Sequence, residues 1–319
     1  MQKVFLTERI HEDAVAYLKE NFEVVQGTST EPGEIIRQAR GCAAILIRSA
    51  RITAEIMDAL PGLKVVAKHG MGVDNIDVEY ATKKGILIVN APFSNLNAVA
   101  EHIVMLLLAL SKRTVRMDKL TRAGEFARRN AYKTVELKGA TVGIIGLGKI
   151  SRRVVKKLSG FEMNILASDP FVRQEDVGSL PVTMVTAEEV YEKSDFVIVH
   201  TSLFPSTFHL VGAEQFRLMK PTAFIINAAR GAVIDEAAMI EALKRGEIAG
   251  AGLDVFEQEP PAPDNPLFAM DNVILSPHNA ALSSGALRAM AMDSAMGITE
   301  YLTGKPVTYP VNGEMLNQQ

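Results

Sequence analysis

The stretch "ATVGIIGLGKIS", Ala140–Ser151, decides how this chain is read. Its first half is a buried-strand run carrying Val142, Ile144 and Ile145. It then passes through Gly146-x-Gly148 into "KISRRVVKKLSGF", where Ile150, Val154, Val155 and Leu158 share one helical face. Strand, glycine turn and helix in that order present backbone N–H groups at a helix N-terminus, where a pyrophosphate is held. Gly146 allows the tight turn, and Gly148 lets the backbone approach phosphates. The position where the pattern places a third glycine holds Ser151, a small side chain that a slight helix shift accommodates. The pattern also calls for an acid about 20 residues on, at the end of the next strand. "NILASDP" supplies Asp169 there. A carboxylate at that point accepts hydrogen bonds from both ribose hydroxyls of NAD and repels the extra phosphate of NADP. A glycine turn alone is as readily structural; strand, turn, helix and acid together point to NAD.

Outward from this stretch, short apolar runs alternate with helix-length amphipathic segments. Five such runs precede it, "KVFLT", "EVVQG", "AAILIRS", "LKVVAKHG" and "ILIVNAP". Seven follow from Ala140: "TVGIIG", "NILASD", "VTMV", "FVIVHTS", "AFIINAA", "GAGLDVF" and "VILSPH". This is the pattern of parallel sheets covered on both faces. The expected fold is α/β, with two doubly wound parallel-sheet domains joined by crossing helices. Between the two series, Asn97 to about Glu125 reads as one long helical segment that carries the chain across. The final helical segment, "SGALRAMAMDSAMGITEYLTG", returns to the first domain, and the tail "KPVTYPVNGEMLNQQ" reads as irregular. The expected domains are therefore 1–97 with 286–319, and 98–285.

The 319 residues suit about two domains. With 48% hydrophobic and 22% charged residues the composition is that of a soluble protein, and a net charge of −3 calls for no nucleic acid. One cysteine, Cys42 in "GCAAILI", excludes an internal disulfide and reads as a buried, inert thiol. The start carries no apolar segment of signal-peptide length, and "IVMLLLAL", Ile103–Leu110, is too short for a bilayer, so no membrane partner and a cytoplasmic location are expected. No histidine grouping has metal-ligand spacing, so no metal is expected.

Three strand ends in the second series carry reactive side chains: Arg230 after "FIINAA", Glu259 after "GAGLDVFEQ" and His278 after "VILSP". Ligands of open α/β sheets bind beyond the carboxyl ends of strands. Hydride transfer at a 2-hydroxy acid needs a cation for the carboxylate and the C2 oxygen, and a group that exchanges a proton near neutral pH. Arg, with His oriented by Glu, meets these needs. Each also has a structural reading: a surface cation, a loop acid before Pro260 and Pro261, a cap after Pro277.

The motifs "GMGVDNIDVEYATKKGILIVNAPFSNLNAVAEH", "VGIIGLGKI", "NAARGAVIDEAAMIEAL", "AGLDVFEQEP" and "SPHNA" closely resemble those of the D-isomer-specific 2-hydroxyacid dehydrogenases, over essentially the whole chain. The resemblance implies a flavodoxin-like substrate domain and a Rossmann NAD domain whose closure excludes water. It implies that Arg230 binds substrate carboxylate and carbonyl, that His278 is the acid/base and that Glu259 pairs with it. Reduction would then weaken as pH rises through the histidine range. The expected cofactor contacts are Gly146, Leu147, Gly148, Lys149, Ile150, Asp169, His200, Thr201, Thr207, Ala228, Ala229 and Asp254. The loop "HGMGVD" looks like the family's substrate loop, with the N–H groups of Met71, Gly72 and Val73 forming an anion nest. Arg48 and Lys68 match basic positions of 3-phosphoglycerate dehydrogenases and suit a second anionic group, unless they are ordinary solvated charges. Glyoxylate or hydroxypyruvate reduction is the alternative, and an NAD-binding corepressor on the same fold is another. Glu259, where formate dehydrogenases carry Gln, disfavours formate. Ser202 stands where the family usually has Pro. His102, on the crossing helix, reads as structural, and His69 as a possible site residue without a visible partner. The segment from 98 to 137 resembles the arm through which family members form homodimers, against a plain reading as a solvated helix and loop.

Overall fold

The structure, a computed structural model, describes residues 1–316. The chain divides into two compact units, Met1–Asn95 with Ala281–Gln319, and Leu96–Ala280. In the first, β1 (Lys3–Leu6), β2 (Glu23–Gln26), β3 (Ala44–Ile47), β4 (Val65–Lys68) and β5 (Leu87–Val89) form a sheet in the order β2-β1-β3-β4-β5. Every pair is parallel. Alternate residues point to opposite faces, so Phe5, Ile45, Val66 and Ile88 build one core while Val4, Leu46, Ala67 and Val89 build the other. Both faces are covered, which is why these strands read as unbroken apolar runs. The Ser284–Leu302 helix closes the second face with Ala291, Ala295 and Ile298.

The second unit holds β6 (Thr141–Ile145), β7 (Asn164–Ser168), β8 (Thr183–Met184), β9 (Phe196–Val199), β10 (Phe224–Asn227), β11 (Gly250–Leu253) and β12 (Val273–Leu275). Their order is β12-β11-β10-β9-β6-β7-β8, again all parallel. Among the described residues, the two sheets and twelve strands are those the apolar runs announce. Connections reverse direction between β1 and β3 in one sheet and between β6 and β9 in the other, the two switch points of a doubly wound fold.

Two expectations need correction. The helical segment after Asn97 is broken: one helix spans Leu96–Ser111 and a second Thr114–Arg122, with Arg113 between them at φ +51°. The chain returning through 133–135 ends the first helix. Val135 N–H donates to Ser111 O, Lys112 Nζ to Val135 O and the Arg113 guanidinium to Lys133 O. The tail is likewise ordered through Leu316: Pro310 bridges Val89 antiparallel, and a short helix spans Gly313–Leu316. Asn312 is fully buried; it accepts from Ile88 N–H at 2.8 Å and donates to Ile86 O and Thr82 Oγ1. It thus satisfies backbone groups at the free edge of β5 that would otherwise be orphaned. Residues 317–319 of that tail lie outside the described residues.

The Leu96–Ser111 helix packs on β10, β11, β12 and the Lys149–Leu158 helix. A Cβ built on Gly252 of β11 would stand 3.1 Å from Leu110 and 3.3 Å from Leu106, so this helix lies close on the sheet. No helix among the described residues is long and apolar enough to cross a membrane. Leu106 is fully buried in this contact. Leu106→Ala is expected to lower unfolding free energy by about 2–5 kcal/mol through lost burial and a residual cavity, read by urea denaturation.

Candidate active site

The glycine turn follows β6. Gly146 has φ +90°, and a Cβ there would lie 2.6 Å from His200 O, so a side chain is excluded on two counts. Gly148 opens the Lys149–Leu158 helix, and a Cβ built on it meets no atom within 4 Å. Asp169, just after β7, accepts from Leu147 N–H at 2.8 Å and from Phe171 N–H at 2.9 Å. The acid and the glycine turn thus hold each other at the carboxyl ends of β6 and β7. Ser151 is fully buried, and its Oγ finds no hydrogen-bond partner among the described residues. The hydroxyl therefore adds an unsatisfied group where the usual glycine would add none.

Beside the turn, His200 N–H donates to Ile145 O across the β6/β9 switch point. Burial, with a smaller contribution from the Arg230 charge, pushes the His200 imidazole down to about 4, so it is neutral at pH 7. Its Nε2 is buried without a partner among the described residues. Thr207 Oγ1 donates to Ser202 O at 2.7 Å and accepts from Phe204 N–H, which folds the 202–207 loop on itself, and Thr201 Oγ1 lies 3.5 Å from the same carbonyl. An open approach at Gly148, a strained glycine turn, a carboxylate at the end of β7 and an orphaned nitrogen at the switch point together fit a dinucleotide.

Further along this edge, Asn227 ends β10 with a buried side chain. Its Oδ1 accepts from Ala229 N–H and its Nδ2 donates to Arg230 O. Asn227 thereby shapes Ala228–Arg230; the sequence motif contains it, but only the structure shows this task. Arg230 donates through Nη1 to Ala229 O at 2.7 Å. His278 Nδ1 lies 2.7 Å from Glu259 Oε2, and Glu259 Oε1 accepts from Phe256 N–H at 3.1 Å. A carboxylate only accepts, so Nδ1 carries the proton in this pair. His278 sits at φ +51°, a left-handed backbone unusual for a residue with Cβ, and such strain costs on the order of 1–3 kcal/mol. Asp254 is fully buried beneath it, with Ser276 Oγ and the N–H groups of Asn279 and Ala280 donating to its carboxylate. The Glu259–His278 pair borders a cleft of about 380 Å³ walled by Phe256, Phe268, Leu275 and the prolines 260, 261 and 277.

In the first unit, Arg48 follows β3 and Lys68 ends β4. Lys68 Nζ donates to Arg48 O and Asn75 Oδ1, and Arg48 Nη1 donates to Arg9 O. Glu8, which sequence reading passed over, takes the N–H groups of Arg48 and Ser49 and the Ser49 hydroxyl on one carboxylate. Burial works to raise its pKa, but these donors outweigh burial and leave it lowered. The substrate-loop residues Met71, Gly72 and Val73 follow Gly70 at φ +140°; Asn90 Nδ2 donates to Met71 O, and Val73 O accepts from Ile76 N–H. His69 does have a partner: its Nε2 donates to Leu287 O at 3.2 Å. Burial, helped by the Arg48 charge, pushes this imidazole down to about 4. Among the described residues no three His, Cys, Asp or Glu side chains gather to hold a metal ion.

Two parallel α/β units, the second with a glycine turn and acid at its switch point, define the class: a dinucleotide-binding enzyme fold. The sequence model of the D-isomer specific 2-hydroxyacid dehydrogenase NAD binding domain matches residues 104–280. A D-3-phosphoglycerate dehydrogenase of Archaeoglobus fulgidus is 40% identical over 97% of this chain and 59% of its own length. A glyoxylate reductase of Thermofilum pendens is 41% identical over 98% of this chain and 95% of its own. This chain spans about three fifths of the phosphoglycerate dehydrogenase relatives it matches. The crystal structure of an NADPH-dependent glyoxylate/hydroxypyruvate reductase from Sinorhizobium meliloti with NADP and malonate superposes with a TM-score of 0.87 at 30% identity, covering 97% of this chain and 96% of that one. The chain belongs to the D-isomer specific 2-hydroxyacid dehydrogenase family.

The Glu259 carboxyl makes a pH test. Burial acts to raise its pKa, but the hydrogen bond and charge of His278, the Phe256 N–H and the Arg230 charge outweigh burial and hold it below its ordinary 4.5. A depressed carboxyl contributes stability that is present above the unfolded pKa and lost as pH falls through the folded one. The melting temperatures of the wild type and Glu259→Gln should therefore differ most near neutrality and converge below pH 4.5; a constant gap would contradict the pairing.

Proposed function

We propose that this protein interconverts a D-2-hydroxy acid and its 2-keto acid with NAD, using Arg230, Glu259 and His278. The Glu259–His278 pair at 2.7 Å, with the Arg230 charge acting on the same carboxylate, carries the reading. Gly146–Ile150 would hold the pyrophosphate, Asp169 the ribose, and the residues His200, Thr201, Thr207, Ala228, Ala229 and Asp254 would line the rest of the cofactor site. When bound, the nicotinamide supplies or accepts the hydride. The chain's own work is different. Arg230 holds the carboxylate and draws electron density onto the C2 oxygen. His278 Nε2 gives a proton to that oxygen in reduction and takes it back in oxidation, while Glu259 keeps Nδ1 protonated and the ring oriented.

Arg48 and Lys68, with the Met71–Val73 loop, favour a substrate with a second anionic group, such as a phosphorylated 2-keto acid. Glu8 favours the second reading, a monoanion of the glyoxylate or hydroxypyruvate class, because its carboxylate lies against the Arg48 loop. A panel of 2-keto acids with and without a distal phosphate, assayed with NADH and NADPH, decides between them. NADH should be preferred, since the Asp169 carboxylate repels a ribose phosphate. His278→Asn should lower kcat by about 10²–10⁴-fold. Because reduction spends the proton that His278 carries on Nε2, the wild-type rate should fall as pH rises; absence of NADH consumption with every keto acid would sink the proposal.

We also infer a homodimer through the 98–137 region. Met105, Val115 and Phe126 leave large apolar surface exposed along it, with Phe126 at 65%. Sedimentation equilibrium should give twice the chain mass of 34.7 kDa, and Phe126→Glu with Val115→Glu should shift it to monomer.

A further inference from the structure

The Leu96–Ser111 helix carries His102, one turn and a half into its length and largely buried. His102 Nε2 lies 2.9 Å from Ser276 Oγ and 3.4 Å from Asp254 Oδ1. Ser276 Oγ lies 2.6 Å from Asp254 Oδ1 and 3.4 Å from Leu253 O. The short contact to a carboxylate is the stronger, so the single hydroxyl proton of Ser276 goes to Asp254. The serine oxygen is then left to accept, and His102 must donate to it from Nε2. The order of donors is settled: His102 to Ser276 to Asp254.

Asp254 passes this order on to the turn that bears His278. Its Oδ1 also accepts from Asn279 N–H at 2.9 Å, its Oδ2 from Ala280 N–H at 2.9 Å, and its backbone carbonyl from His278 N–H at 2.7 Å. Three successive N–H groups thus hang on one buried residue. His278 holds a left-handed backbone at φ +51°, which persists only where its surroundings over-determine it. Without Ser276 and His102, Asp254 would keep the two turn N–H groups but lose the donors that tie its Oδ1 to β12 and to the Leu96–Ser111 helix, so carboxylate and turn could shift together. The proton-exchanging imidazole would then lose its fixed direction, although its Nδ1 bond to Glu259 remained.

We propose that His102 and Ser276 are positioning residues, which fix the Asp254 carboxylate and through it the aim of His278 Nε2. The proposal rests on the reading of His278 as the proton-exchanging group. A merely space-filling polar cluster would affect stability and leave turnover alone. The variants Ser276→Ala and His102→Leu remove one link each. Ser276→Thr keeps the hydroxyl, and His102→Gln keeps an N–H donor.

In reduction of the best keto acid of the panel, Ser276→Ala and His102→Leu should each lower kcat by about 10–100-fold, the scale of misplacing a reacting group by about 1 Å. Ser276→Thr and His102→Gln should recover kcat to within about threefold of wild type. Amide hydrogen exchange, followed by mass spectrometry on a peptide covering 276–281, should speed up about tenfold in Ser276→Ala and His102→Leu while β6 is unchanged. The proposal is overturned if both deletions leave kcat within about twofold, if the donor-keeping variants are as impaired as the deletions, or if exchange in the turn does not move. Should the wild type consume no NADH with any keto acid, the functional reading fails, and the exchange experiment alone decides whether His102 and Ser276 hold the turn.

Discussion

Parallel pairing is the constraint on which this molecule depends. Every ladder in both sheets runs in one direction, so each sheet delivers all its carboxyl ends to a single edge. Side chains separated by many tens of residues, such as Asp169, His200, Arg230 and His278, arrive at one edge because each lies just past the carboxyl end of its strand. Parallel strands demand helical crossovers, and the crossovers bury both faces. What is left for polar chemistry is the rim of loops. That rim is where the glycine turn, the Asn227 hinge of backbone bonds and the Glu259–His278 pair all occur.

Much of this was open to a reader of the sequence. Buried strands must be apolar throughout, so the twelve runs stand out, and Gly146 stands out because no side chain fits beside His200 O. The strand-end residues Arg230, Glu259 and His278 were legible by type and place. What escaped was tertiary. Nothing near Arg113 signals a left-handed break, because the cause is a chain segment returning some 20 residues later to cap the helix. Asn312 looks like an ordinary turn residue in an irregular tail, and only the edge of β5 reveals why it is buried. Glu8 is one charged residue among many in the sequence; it matters because the loop after β3 turns its N–H groups toward it.

Polar groups inside the second unit are arranged in series rather than scattered. Asp254 is fully buried, yet each of its oxygens is taken by neighbours from the turn that follows β12. The orphaned groups lie elsewhere: His200 Nε2 at the switch point and Ser151 Oγ inside the helix that follows the glycine turn. The first belongs to the residue that directly follows β9. The second is an internal defect carried by a substitution of serine for glycine.

The helix from Ser284 to Leu302 closes one face of the first unit with Ala291, Ala295 and Ile298, packed over strands that begin at Lys3. A ribosome therefore finishes the inserted second unit, Leu96–Ala280, before it has made the cover that the earlier sheet requires. Until then the face carrying Val4, Leu6, Leu46 and Ala67 has only Ala14, Leu18 and Phe22 from the earlier chain to bury against, so the earlier sheet completes its packing after the later one.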